Sequence, residues 1–479
     1  MKAIISIVAL AITLAILIFV PPLAAPFEGM YGPVTVSSCA LALGLCGLAA
    51  CVAGFVIRQE RSHGSYLLYL FLFALLLRIV IGAAIFVFNG QEFFGGDALT
   101  YDYYGEQQLL AWGGSLDAAL DVKRFVGEGY RSGLGMVYMV ALIYGMVCRN
   151  MLAVQFFNSV LGAATAPIIF LCAQEVFKNT RVSRVSSLAV AFCPSLVLWS
   201  SQGLKDGPIV FFLALSILAT LKLGQKFRAG FLVMLVLSLF GVLVFRFYVF
   251  YMLVLAIGGA FIIGMRTVTA QSLARQFVIV VLLGLSLTYL GVTRYANVQF
   301  EQYGSLEVVQ RSRADAARSA ESGFGRDVDV STTGGALLAI PMGIIYLLFA
   351  PFPWQLASLR QSLTLPEMLL WWAAFPLLIT GLWFSIKYRL RQLSPVLIFT
   401  SMLTLAYSVF QGNVGTAYRQ RAQLLVFYFI FVAVGAVLLK EKREEKKRRA
   451  AHALRDATRF KPASNQQQPQ ATTRAIVQG

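Results

Sequence analysis

Acidic residues are scarce in this chain: 22 Asp and Glu stand against 40 Lys and Arg among 479 residues, with two histidines, His63 and His452. Charged residues of both signs make up only 13%. So little charge, beside 58% hydrophobic residues and a mean hydropathy of +0.73, excludes a water-soluble domain, which could not hide that much apolar surface. The six cysteines (Cys39, Cys46, Cys51, Cys148, Cys172, Cys193) sit in or beside apolar runs, and none pairs with a histidine at ligand spacing. Inert buried thiols are therefore expected. The net charge of +18 does not speak for nucleic acid as a partner. Much of it lies in short loops and in the tail after Lys440, where positive charge marks the cytoplasmic side of a membrane.

What the chain does have is a series of apolar runs near the roughly 17–25 residues that span a bilayer. They read as an all-α polytopic membrane protein of twelve transmembrane helices: Ile4–Val20, Val36–Ile57, Tyr66–Phe88, Leu152–Phe177, Val185–Ser200, Pro208–Leu223, Phe231–Phe245, Phe250–Met265, Phe277–Leu290, Met368–Ile386, Pro395–Phe410 and Leu424–Leu439. The first run is read as an uncleaved helix, because its apolar core exceeds a signal-peptide core. Two shorter runs, Leu134–Val147 and Ala336–Ala350, suit re-entrant or interfacial segments. Basic loops at Arg58–Arg61, Lys178–Arg184, Lys222–Arg228, Arg266–Arg275 and Lys387–Arg391 then fall on one side, with both termini inside.

Three regions follow. Residues 1–65 hold two N-terminal helices, 66–440 form the main module with external loops 89–151 and 293–367, and 441–479 form a basic cytoplasmic tail, disordered beyond about Lys461. In the first loop, Gln108–Tyr130 places Leu109, Trp112, Leu116, Leu120 and Phe125 at loosely helical spacing, as interfacial helices do. In the second, Glu301–Thr333 reads as a mobile polar loop, with Arg313, Asp315, Arg318 and Glu321 on a solvated helix face.

Four polar constellations interrupt the apolar pattern. The first, Phe93–Glu106, gathers Asp97, Asp102 and Glu106, three of the chain's few acids, with Tyr101, Tyr103, Tyr104 and the pair Gly95-Gly96. A carboxylate at a membrane boundary is partly desolvated and so a better general base; the bland alternative is a helix cap at Asp97 or Thr100 and tyrosines in an interfacial belt. The second is the turn Ser200–Pro208, where Lys205 and Asp206 are either cap and snorkelling charge or site residues. The third is Arg246, with Tyr248 and Tyr251, for which an anion partner competes with a lipid headgroup. The fourth is Gln411–Arg421, whose Arg419 and Arg421 oppose the positive-inside trend and could hold phosphate bidentately. All four fall on the outer face, which suits chemistry on a lipid-linked phosphate. The spans themselves are nearly free of acids and bases, which argues against an ion-coupled transporter.

These residues resemble the GT-C superfamily of polyprenyl-phosphate-dependent glycosyltransferases, in particular its protein-mannosyltransferase-like (family 39) branch. Gly96-Asp97 with Tyr101 and Gly105 after an early span is similar to the family's first external loop. Phe156–Ala163, Leu188–Pro194 and Lys205-Asp206 are similar to its next helices and second external acid, and Tyr418-Arg419-Gln420-Arg421 to its late arginine. Asp97 is followed by Ala98 in place of the family's usual second acid, and two helices precede the module. The resemblance implies a GT-C-like fold and inverting sugar transfer from a polyprenyl-phosphate sugar donor at the periplasmic face of a bacterial inner membrane. Asp97 is then the catalytic base and Asp206 the second acid, orienting a partner or a divalent metal. Lys205, Arg246, Tyr418, Arg419 and Arg421 bind the lipid phosphate, with Tyr101, Asp102 and Glu106 in support. An envelope polysaccharide polymerase or ligase, or a lipid-linked glycan transporter, are the rival readings.

Overall fold

A segment in hydrocarbon must satisfy its backbone N–H and C=O groups internally, and a helix does so. The computed structural model describes residues 2–27, 32, 34–94, 96–126, 134–264, 270–289, 291–292, 296, 299, 304–318, 322–356 and 358–459. Among these there is no strand, and one isolated antiparallel bridge joins Gly323 to Asn413. The helices are α1 (Lys2–Ala24), α2 (Val36–Arg58), α3 (Gly64–Val87), α4 (Asp97–Trp112), α5 (Leu116–Val126), α6 (Gly135–Val147), α7 (Met151–Phe177), α8 (Thr180–Phe192), α9 (Pro194–Ser200), α10 (Asp206–Gln225), α11 (Ala229–Phe245), α12 (Phe247–Ile263), α13 (Ala270–Tyr289), α14 (Leu306–Arg318), α15 (Thr333–Phe349), α16 (Leu359–Phe410) and α17 (Val414–Arg459), with a one-turn helix Gly90–Phe93 before α4.

Seven of them (α1, α2, α3, α7, α10, α16 and α17) are long and apolar enough to cross a membrane, or eight if α8 and α9 form one span. The protein is a helical membrane protein. The twelve hydropathy spans map onto it unevenly. Those at 231–245, 250–265 and 277–290 fall on shorter apolar helices, and the two at 368–386 and 395–410 lie in the single α16, broken at Arg389 (φ −134°, ψ 17°). The span expected at 185–200 bends by 53° between α8 and α9. Pro194 explains this: it lacks an N–H and pushes Cys193 into an extended conformation (φ −60°, ψ 122°).

Helix α7 is the hub, packed against α2, α3, α8 and α10 and buried along most of its length. Its run Gly162–Ala166 is small enough to let neighbours approach closely. A Cβ at Gly162 would stand 2.4 Å from the Ser200 hydroxyl, so only glycine admits that turn.

The polar stretch expected to be a mobile loop at 301–333 departs from expectation. Its described part is built into the fold, because Ala317, Phe324 and Val330 supply a buried apolar face that the polar composition conceals. Arg313 is 1% exposed and donates to the Val409 carbonyl at 2.8 Å. Phe324 N donates to Gly412 O (2.8 Å) and Val414 N to Ser322 O (3.1 Å), strapping the loop to the turn that opens α17. Asp315 and Arg318 are exposed, as expected. Gly95, residues 127–130, Arg266, Glu301, Glu321 and the tail beyond Lys461 lie outside the described residues.

Residues Met1–Gly435 form one compact unit and Ala436–Gly479 a second. The first contains every candidate site residue. In the second, the helix is basic and exposed, with Arg449 paired to Glu445 one turn earlier.

Candidate active site

The four constellations meet. Gly96 adopts φ +68°, a left-handed conformation that glycine reaches without strain, and Asp97 becomes the first residue of α4. Neither Asp97 nor Thr100 caps the helix, contrary to the cap alternative. Arg419, in the second turn of α17, donates Nη1 to Asp97 Oδ2 at 2.6 Å and Nε to Asp206 Oδ2 at 2.5 Å. Arg246, between α11 and α12, places Nη2 3.7 Å from Asp206 Oδ1 and donates Nη1 to the Tyr407 hydroxyl at 3.4 Å. Asp206 is thus an anion partner of Arg246 within the fold. The face of Trp199 lies 5.7 Å below the Arg419 guanidinium.

The two carboxylates differ in access: the Asp97 side chain is 47% exposed and that of Asp206 only 2%. Asp206 starts α10, and the turn before it is held from α7, where Asn158 Nδ2 donates to both Gln202 O and Leu204 O at 2.7 Å. Arg78, deep in α3, donates Nε to the Ser200 hydroxyl (2.8 Å) and Nη1 to two carbonyls, so this basic group inside a span braces the same turn. Two acids against two arginines leave the cluster near neutrality, as burial demands. Lys205 is pushed down to about 8, first by burial and then by Arg246. Burial, reinforced by Asp97, pushes the Tyr101 phenol up to about 12, so it stays protonated at neutral pH.

The other expected residues divide. Tyr418 donates its hydroxyl to Glu367 Oε2 at 2.9 Å. Glu367 also accepts Ser195 N and Oγ, each at 2.7 Å, and so ties α16 to the start of α9 beside Arg419. Sequence reading passed over Glu367; the scarcity of acids beside apolar runs was the signal that could have found it. Arg421, two residues from Arg419, is 1% exposed and donates Nη1 to the carbonyls of Leu347, Leu348 and Ala350 at the end of α15, away from the carboxylate cluster. Asp102 and Glu106 form a separate clasp. Asp102 accepts the Tyr144 hydroxyl and Arg149 Nη2 (2.6 Å), and Glu106 takes Arg149 Nη1 (2.8 Å), docking α4 onto α6. Burial raises the Asp102 carboxyl, opposed by Arg149 and Tyr144. Tyr103 and Tyr104 join α4 to α5 through Asp121 (3.3 Å) and a stack on Phe125 (3.8 Å).

A cavity of about 880 Å³ opens on this cluster. Its lining is mixed: Asp97, Trp199, Glu367, Tyr418 and Arg419 contribute polar groups, and Leu77, Ile81, Phe192, Leu198 and Leu363 apolar ones. Asp206, Arg246, Lys205 and Arg421 do not line it. The donor set does not fit a divalent metal: a guanidinium already bridges Asp97 and Asp206, and no group of three or more His, Cys, Asp or Glu could hold an ion among the described residues.

Fold and site together define a helical membrane protein with a charge-balanced cluster on the wall of an amphiphilic cavity. No protein-family model matches the sequence, and no curated protein matches it by sequence. Among solved structures, the archaeal oligosaccharyltransferase AglB from Archaeoglobus fulgidus, in complex with an inhibitory peptide and a dolichol-phosphate, is similar at 14% identity over 68% of this chain, with a TM-score of 0.40. The chain spans 44% of that protein's length. A likeness this loose carries no argument about activity.

Proposed function

We propose that this protein is an integral membrane glycosyltransferase that moves a sugar from a polyprenyl-phosphate donor to an acceptor hydroxyl at the outer face of a bacterial inner membrane, through twelve crossings with both ends inside. The observation that carries this reading is Arg419, which joins a half-exposed carboxylate to a buried one on the wall of a cavity lined by both polar and apolar side chains. The apolar lining suits the lipid, and the polar lining the reacting head.

Asp97 is the base, since of the two acids it alone lines the cavity. It takes the proton of the acceptor hydroxyl as that oxygen attacks the anomeric carbon. The bond from that carbon to the phosphate oxygen breaks, its electron pair leaves with the phosphate, and the configuration inverts. Asp206 orients Arg419 from behind. Arg419 in turn holds Asp97 on the cavity wall, and Arg246 balances the buried charge of Asp206.

The test is transfer by the purified protein in lipid nanodiscs, with a radiolabelled pool of polyprenyl-phosphate sugars as donor and a membrane extract as acceptor. Label should move to acceptor with the wild type and not with Asp97→Asn. Transfer only from diphosphate-linked oligosaccharides would favour the polymerase or ligase reading. Vesicle uptake without any transferred label would favour a transporter.

A further inference from the structure

The positive groups at the site differ in how far they are already spent. Arg419 commits two nitrogens to carboxylates, Arg246 faces Asp206 and Tyr407, and Arg421 is turned onto carbonyls. An incoming phosphate would have to displace a carboxylate from Arg419. Arg360, in the first turn of α16, is different. It lines the same cavity, is exposed, and has no carboxylate partner among the described residues.

Its position is defined by aromatic rings. The Arg360 guanidinium lies 5.6 Å from the centre of Phe93, Phe93 packs edge-on to Phe94 at 5.0 Å, and Phe94 packs edge-on to Trp199 at 6.5 Å. Trp199 in turn sits 5.7 Å beneath Arg419, which holds Asp97. An aromatic row therefore runs from a free guanidinium to the base, along one cavity. Inverting transfer needs base and leaving group on opposite sides of the sugar ring, and Arg419, hydrogen-bonded to Asp97, is already committed to the base. Leu363, one turn beyond Arg360 on α16, lines the same cavity and supplies apolar surface there.

We infer that Arg360 is the residue that grips the phosphate of a long-chain lipid phosphate in this cavity, with the sugar lying over the aromatic row between Arg360 and Asp97. The inference rests on the lipid-phosphate reading above and names the group that makes the contact. A phosphate ester on an apolar chain is the shared chemistry of a polyprenyl donor and an ordinary phospholipid, so both belong in the experiment.

Detergent-solubilised full-length protein is titrated with undecaprenyl phosphate, phosphatidic acid and undecaprenol, and binding is followed by thermophoresis. Wild type should bind undecaprenyl phosphate about tenfold or more tighter than undecaprenol, the size of one charge-assisted contact. Arg360→Gln should lose that preference without weakening the alcohol, and Arg360→Lys should keep most of it. Tighter binding of undecaprenyl phosphate than of phosphatidic acid supports the polyprenyl source; the reverse order supports the headgroup source of the same contact. If the wild type prefers the phosphate and Arg360→Gln prefers it equally, the Arg360 assignment is overturned and the lipid-phosphate reading survives. If the wild type shows no preference for phosphate over alcohol, both fall. Arg360 is exposed, so these variants should fold, and an unchanged affinity for undecaprenol verifies it.

Discussion

Asp97 and Asp102 lie five residues apart on α4 and end in opposite settings. Asp97, at the start of the helix, is half-exposed on the wall of a large cavity and shares an arginine with an acid from another helix. Asp102, a turn and a half on, is enclosed by Tyr144 and Arg149 and does not reach the cavity. Both are ion-paired acids, so pairing alone does not mark a site. The difference lies in what each pair leaves accessible. The Asp102 clasp closes on itself and fixes α4 against α6, while the Asp97 pair leaves a carboxylate open to a ligand. The clasp in effect holds α4, and with it Asp97, in place.

Breaking the open cluster should have the largest effect. Arg419→Gln removes the closest partner of Asp206, a buried charge, and should cost roughly 3 kcal/mol or more of stability, by analogy with broken buried pairs. Transfer by the protein that still folds should fall by about two to three orders of magnitude, as when an oriented charge at a reacting centre is lost. Wild-type rates in Arg419→Gln would sink the shared-site argument.

A matched pair of substitutions sharpens the contrast. Asp97→Asn should lower transfer by about 10²–10⁴-fold, the usual contribution of a general base, with the denaturation midpoint in detergent nearly unchanged. Asp102→Asn should do the opposite: a loss of about 1–3 kcal/mol in stability, as for a weakened buried hydrogen-bond partner, with transfer per folded molecule kept within a few-fold. Equal effects of the two on activity would erase the distinction drawn here.

The smallest effect concerns pH. Lys205 sits behind the open cluster with its folded value near 8, against an ordinary 10.5. It therefore loses its positive charge as pH rises through 8, and transfer should decline with a midpoint there; Lys205→Arg should move that midpoint upward. Stability has the opposite slope. Between 8 and 10.5 the unfolded chain binds the proton more strongly, so this group's contribution grows as pH rises across that window and is lost as pH falls through 8.

Much of the site was legible because charge is rare and costly in an apolar chain. Asp97, Asp206, Arg246 and Arg419 stood out on that ground and converge. Arg360 and Trp199 did not stand out, since an arginine in a polar loop and a tryptophan near a span end are unremarkable by themselves. Arg421 stood out beside Arg419 but does not join the cluster. Two residues along a helix turn the side chain by about 200°, so the two arginines face opposite ways and meet different partners. The polar stretch 301–333 was misjudged because its few apolar residues find partners outside it: Phe324 packs with Tyr346, Ala350, Phe352 and Val414, and Val330 with Ala336, Ala339 and Val409 as well as Leu306 and Val309.

What the sequence by itself determined was the class: helices in a membrane, with polar groups confined to a few positions. That follows from local hydropathy, since each apolar run must satisfy its own backbone wherever its neighbours lie. Which polar groups meet was decided only by tertiary structure. The two contacts that define the site join residues 322 and 213 positions apart, and neither segment's own sequence carries a trace of the other.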